Sequence, residues 1–160
     1  MVMAWRFGAV SAQAVTAVIR DPALFTEWMI AVPPKVRVHS SWPAVGSVVE
    51  RDDGRDVRGR HTYNPQLVVA ISDSWRENEE LGLRQRSNLG GWIRLTIKLQ
   101  PRPGGCLIEV WARAASRAAR IRYAGPGRAQ VEARCAALAQ RLIDLAAALE
   151  SADDPDPPSD

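Results

Sequence analysis

The stretch Gly127–Glu150, GRAQVEARCAALAQRLIDLAAALE, constrains the fold of this chain more than any other. It is made of strong helix formers, with no proline and no internal glycine. Apolar residues recur at Val131, Cys135, Leu138, Leu142, Leu145 and Leu149, spaced four, three, four, three and four. At about 100° per residue these positions form one stripe, so the spacing predicts an amphipathic helix with a buried face. A helix of this length spans roughly 36 Å, the width of a small domain, and needs a broad apolar surface to lie on.

The preceding chain supplies that surface. Residues Val2–Phe7 read as a short strand, Trp5 and Phe7 alternating with Arg6. Ser11 offers an N-cap for a helix carrying Ala14, Val15, Val18 and Ile19. Asp21-Pro22 starts a second short helix, Asp as cap and Pro where its missing N–H costs nothing, with Phe25 and Trp28 on one face. Pro33-Pro34 ends it, and the period then changes from helical to two. Strands are expected at Lys35–Ser40, around Ser47–Arg51, near His61–Tyr63, at Leu67–Trp75, at Glu80–Arg86, over WIRLTIKLQ and over CLIEVWARA. Asp53-Gly54, Gly90-Gly91 and Pro103-Gly104-Gly105 read as turns. The cleanest alternation places Ile93, Leu95, Ile97 and Leu99 inward against Trp92, Arg94, Thr96 and Lys98. The basic segment Ser116–Arg128 reads as a loop or a broken helix.

One-sided strands describe a sheet with one wet face, and the helices are its available cover. The expected class is α+β: a curved antiparallel sheet wrapped around a long C-terminal helix, with two short helices after the first strand. With 160 residues, 46% of them apolar, one domain over residues 1–150 can bury a core. The acidic, proline-rich tail 151–160 is expected to be disordered.

Composition also excludes function classes. The net charge of +3 is mild and the 21 Lys and Arg are spread along the chain, which reads as a solvated basic surface first and a polyanion site second, with no nucleic-acid partner expected. MVMAWRF is no signal peptide, and no apolar run is long enough to span a bilayer, so the expected location is cytoplasmic. Cys106 and Cys135 lack metal spacing and read as buried thiols. His39 and His61 sit on separate strands without a third ligand, so no metal and no cofactor is expected. Nucleophile-elbow, P-loop and dinucleotide motifs do not occur.

Four features in order resemble the START-like helix-grip superfamily, also called SRPBCC, and its polyketide cyclase/dehydrase-like members. They are Asp21, Pro22, Phe25 and Trp28 as D-P-x-x-F-x-x-W; Trp42, Pro43, Val45 and Gly46 as W-P-x-V-G; the paired strands around the Pro103-Gly104-Gly105 turn; and the terminal helix. The resemblance implies an apolar cavity between sheet and helix that takes a hydrophobic ligand. It does not imply a reaction, because carriers, sensors and enzymes share the scaffold.

Read as a binding protein, the chain would line its cavity with Trp28, Tyr63, Trp75, Leu83, Leu95 and Leu138. Arg134 and Arg141 lie about 40° and 60° from Leu138 on one flank of the helix, where they either hold an anionic group or snorkel to water. Read as a cyclase or aromatase, it would use Arg134, Arg141, Asp73 and Tyr63 on an enolisable substrate, with Asp73 on the inward face of Val69, Ile71 and Trp75. Asp73 has an alternative as a strand-end residue paired with an arginine. A third reading is an interaction module using a basic sheet face of Arg84, Arg86, Arg94 and Lys98. The oligomeric state is not encoded.

Overall fold

The computed structural model describes residues 1–52, 67–86, 91–122 and 126–153. The expected strand near His61–Tyr63, including Tyr63 as a site residue, lies outside them. Among the described residues seven strands form one antiparallel sheet: β1 (Val2–Gly8), β2 (Val36–Val38), β3 (Val48–Arg51), β4 (Val68–Arg76), β5 (Glu80–Arg86), β6 (Trp92–Arg102) and β7 (Gly105–Ala114). Their spatial order is β1-β7-β6-β5-β4-β3-β2, so the long meander is sequential and β1 closes its far edge. Helices α1 (Ala12–Arg20) and α2 (Phe25–Trp28) follow β1, α3 (Arg117–Arg122) follows β7, and α4 (Pro126–Asp153) packs on β1, β7, α1 and α2. This is the α+β helix-grip architecture the patterning describes.

Local chemistry explains the boundaries. Ser11 caps α1: its hydroxyl accepts from Ala14 N at 3.0 Å. Asp21 caps the next turn through Ala23 N at 2.9 Å, and Pro22 opens a 3-10 turn, Pro22–Leu24, that leads into α2. The inward face of the sheet carries Leu81 and Leu83 of β5, Leu95, Ile97 and Leu99 of β6, and Cys106, Ile108 and Val110 of β7, all buried. Phe25, Trp28 and Met29 are buried with them. Edge strand β1 turns Val2 and Ala4 inward and leaves Met3, Trp5 and Phe7 exposed.

Two details of the expected pattern are corrected. On α4 the buried set is Val131, Cys135, Leu138, Ala139, Leu142, Ile143 and Ala146, while Leu149 is 37% exposed. A strict four-three repeat has a period of 3.5, and a straight helix drifts away from it by about 20° per heptad. The helix also runs through Ser151–Asp153, residues assigned above to the tail. On β4 the core face is Val68, Ala70 and Ser72, not Val69, Ile71 and Asp73. A register shift between Ser72 and Ser74 adds one residue, after which Trp75 returns to the row of core residue Leu81.

One long-range contact ties the ends of the chain together. Ser11 Oγ donates to Glu150 Oε1 at 2.6 Å, and Ser11 N donates to the same oxygen at 2.9 Å. These two bonds, the hydroxyl's first, hold the Glu150 carboxyl below its usual range. Because the folded pKa lies below the unfolded one, their contribution is complete above the ordinary carboxylate range and is lost as pH falls through the lowered value. Glu150→Gln should therefore flatten the acid limb of a melting-temperature-versus-pH profile while leaving its neutral-to-alkaline part nearly parallel to wild type. An acid limb of unchanged slope would show that the pair carries no linkage.

Candidate functional site

A cavity of about 40 Å³ lies where α4 crosses the sheet. Strand β5 contributes Gln85 and Arg86, β6 contributes Ile93 and Leu95, and α4 contributes Val131, Arg134, Cys135 and Leu138. Ile30 and Ala31, just after α2, complete the lining. The register explains the grouping: Gln85 pairs with Ile93 and Leu83 with Leu95, so two successive inward rows of the β5–β6 ladder face one stretch of α4.

Three polar side chains, Gln85, Arg86 and Arg134, line this otherwise apolar space, Arg86 being the exposed one. Gln85 is buried and donates from Nε2 to the Ile30 carbonyl at 2.8 Å. That bond fixes the Ile30–Ala31 segment over the cavity, where Ala31 takes a left-handed φ of 59°. Arg134 is half-buried, and no acidic group among the described residues pairs with it. Its guanidinium can meet an anionic or carbonyl group at the cavity wall.

Cys135 reports on the same space. Burial, reinforced by the Glu132 carboxylate, pushes its thiol pKa up to about 11. Roughly one thiol in a thousand is then ionised at pH 8. Iodoacetamide at that pH should leave Cys135 unmodified in the folded protein and label it on unfolding. Rapid labelling of native protein would mean that the cavity stands open to solvent.

The expected site residues separate into groups. Leu95, Leu138 and Arg134 line the cavity. Trp28 and Leu83 are fully buried in the core rather than in the lining. Trp75 packs against the core at the Leu81–Ile97 row, beyond the cavity. Arg141 is exposed and does not reach it. Asp73 points away: Arg84 Nε meets Oδ1 at 2.7 Å, and Arg94 lies 3.3 Å from Oδ2 without completing a hydrogen bond. Arg84 and Arg94 are cross-strand partners on the exposed side of the sheet. The three described members of the cyclase-type set, Arg134, Arg141 and Asp73, therefore do not converge. The basic sheet face is also partly neutralised, by Asp73 between Arg84 and Arg94 and by Glu80 and Glu109 flanking Lys98. Arg86 belongs to the cavity lining.

Gln85 was the site residue that strand parity could have found. It occupies the inward position after Leu81 and Leu83, a polar residue on an apolar face. Ile30 and Ala31 carry no such signal, because an irregular segment has no period to read. Among the described residues no group of three His, Cys, Asp or Glu could hold a metal ion. Nor is any described helix long and apolar enough to cross a membrane.

An antiparallel sheet with a long C-terminal helix packed against it, and a cavity at their junction, is a helix-grip-like α+β fold. Solved structures with this fold align along nearly the whole chain. Protein MLL2253 from Mesorhizobium loti is 16% identical with a TM-score of 0.61, over 96% of this chain and 98% of its own. DynU16, a protein of the dynemicin biosynthetic locus, is 15% identical with a TM-score of 0.62, over 94% of this chain and 47% of its own. StfQ, the di-domain ARO/CYC of the steffimycin biosynthetic pathway, is 14% identical with a TM-score of 0.57, over 95% of this chain and 51% of its own. This chain thus spans about half of DynU16 and StfQ. No protein-family model and no curated protein sequence matches it.

Proposed function

We propose that this protein binds a small hydrophobic molecule bearing one polar or anionic group, between the sheet and α4, without catalysing a reaction on it. The observation that carries this reading is the convergence of Gln85, Arg86 and Arg134 on a space otherwise walled by Ile30, Ala31, Ile93, Leu95, Val131, Cys135 and Leu138. Apolar walls with a few placed polar groups are the usual composition of a small-molecule site. The scattering of Arg134, Arg141 and Asp73 supports binding over a cyclase or aromatase role, although StfQ carries that name.

The volume sets a condition. At about 40 Å³ the cavity has room for water rather than an organic ligand, whereas drug-sized pockets run to about 300–1,000 Å³. Ligand entry therefore requires α4 or the Ile30–Ala31 segment to move off β5 and β6. Measured affinity is reduced by the fraction of molecules in that open state.

The test is titration of an apolar fluorescent probe into wild type and Val131→Phe, whose added ring atoms occupy the cavity. Wild type should bind saturably, and Val131→Phe should bind at least about tenfold more weakly, since overpacking one wall removes the space that an apolar ligand fills. Equal binding by both proteins would place the probe elsewhere. Absence of saturable binding by wild type would refute the reading.

A further inference from the structure

A second concavity lies at the Val2–Ala112 end of the β1–β7 pairing. Between Glu109 and Glu132 the sequence holds five arginines and no acidic residue. Strand β7 runs two residues past its last pairing with β1, Val2 with Ala112, so Arg113 and Ala114 project beyond the start of the edge strand. The notch so formed is a pocket of about 190 Å³. Arg113 of β7, Arg120 of α3 and Arg128 of α4 line it, with Val2, Ala112 and Ala114 as apolar floor.

We infer that this pocket binds the phosphate group of a small phosphorylated molecule. Three elements deliver one guanidinium each to a single concavity. None of the three makes an ion pair or hydrogen bond with a described residue. Clustered like charges repel, and among the described residues no acidic group pairs with any of the three to offset that repulsion. Arg128 adds a separate cost: it sits in the first turn of α4, which contains no acidic residue, at the positive end of the helix dipole. A phosphate dianion reverses both terms, and guanidinium forks match its oxygens in bidentate pairs. The pocket exceeds a bare phosphate, and its apolar floor leaves room for part of an organic group. The site shares no lining residue with the sheet–helix cavity and does not depend on the ligand reading above.

The experiment is a melting-temperature and calorimetric titration of the full chain with inorganic phosphate, against sodium chloride at matched ionic strength. Phosphate should raise the melting temperature saturably beyond chloride. Loss of one charge-assisted contact should weaken phosphate about tenfold in Arg113→Gln and in Arg120→Gln. Arg102→Gln, which removes an exposed charge elsewhere, should leave affinity unchanged. In phosphate-free buffer Arg128→Gln should melt no lower than wild type, because it removes an unfavourable charge from a helix N-terminus. Equal responses to phosphate and chloride, or equal weakening in Arg102→Gln, would reduce the effect to general screening and overturn the proposal. So would binding only to vesicles of phosphatidylcholine and phosphatidic acid with none to free phosphate.

Discussion

Trp28→Ala should lower the stability of the fold by about 3–5 kcal/mol, the usual loss when a buried aromatic is truncated to alanine. Trp28 is fully buried and is one arm of an aromatic group centred on Phe25. Its ring meets Phe25 edge-on at 5.2 Å, and Phe25 meets Trp42 edge-on at 5.3 Å. Trp42 is in turn fixed by its Nε1 donating to the Ile19 carbonyl at 2.7 Å, which ties the segment before β3 to the end of α1. Removing Trp28 thus opens a void under α2 and α4 that several anchored neighbours cannot close. Trp28→Phe provides the control. Trp28 Nε1 is buried with no hydrogen-bond partner among the described residues, so the smaller ring gives up volume but also an unsatisfied donor worth about 1–3 kcal/mol. Chemical denaturation should rank Trp28→Phe well above Trp28→Ala. Equal losses would mean that the indole N–H is satisfied in solution and the packing argument incomplete.

Gly105→Ala should cost about 1–3 kcal/mol or more, and through backbone rather than side-chain crowding. A Cβ at Gly105 would overlap the carbonyl oxygen of Gly8 and stand 3.0 Å from Phe7 Cζ. Gly8 cannot retreat, because a Cβ at its own position would lie 2.6 Å from Ile143 Cγ2 on α4. The end of β1 is therefore held between the start of β7 and the helix, with a glycine at each close approach. Backbone cannot rotate aside as a side chain can, so Gly105→Ala should separate β1 from β7 and expose the edge of β7. Hydrogen exchange should show faster exchange of β1 amides in Gly105→Ala while those of β5 and β6 stay protected. Gly8→Ala meets only the Ile143 side chain and should be milder. If Gly105→Ala left β1 protection intact, the close packing of the two strands would be refuted.

These effects show what was readable beforehand and what was not. Two caps were visible as residue types: Ser11 and Asp21 cap where their chemistry says they should. The strands of the long meander were visible because WIRLTIKLQ and CLIEVWARA alternate cleanly. Strand β4 misled because VVAIS is apolar on both faces, so a shift of one residue leaves the pattern almost unchanged. The extra residue between Ser72 and Ser74 then sent Asp73 outward to Arg84 while keeping Trp75 inward. On α4, alanines hid the turn of the stripe, since Ala139 and Ala146 are buried but carry little hydropathic signal. The cavity was the least legible part. Its polar members come from a strand and a helix far apart in sequence, Gln85 and Arg86 on one and Arg134 on the other, and only the β5–β6 register brings them together.

The most direct test of the sheet–helix cavity is to purify the protein gently, denature it, and identify by mass spectrometry what it releases. Wild type should release an apolar compound with one polar or anionic group, near one per chain, and Val131→Phe should be depleted of it. Retention of the same compound by Val131→Phe at the wild-type level would contradict the placement of the ligand between β5, β6 and α4.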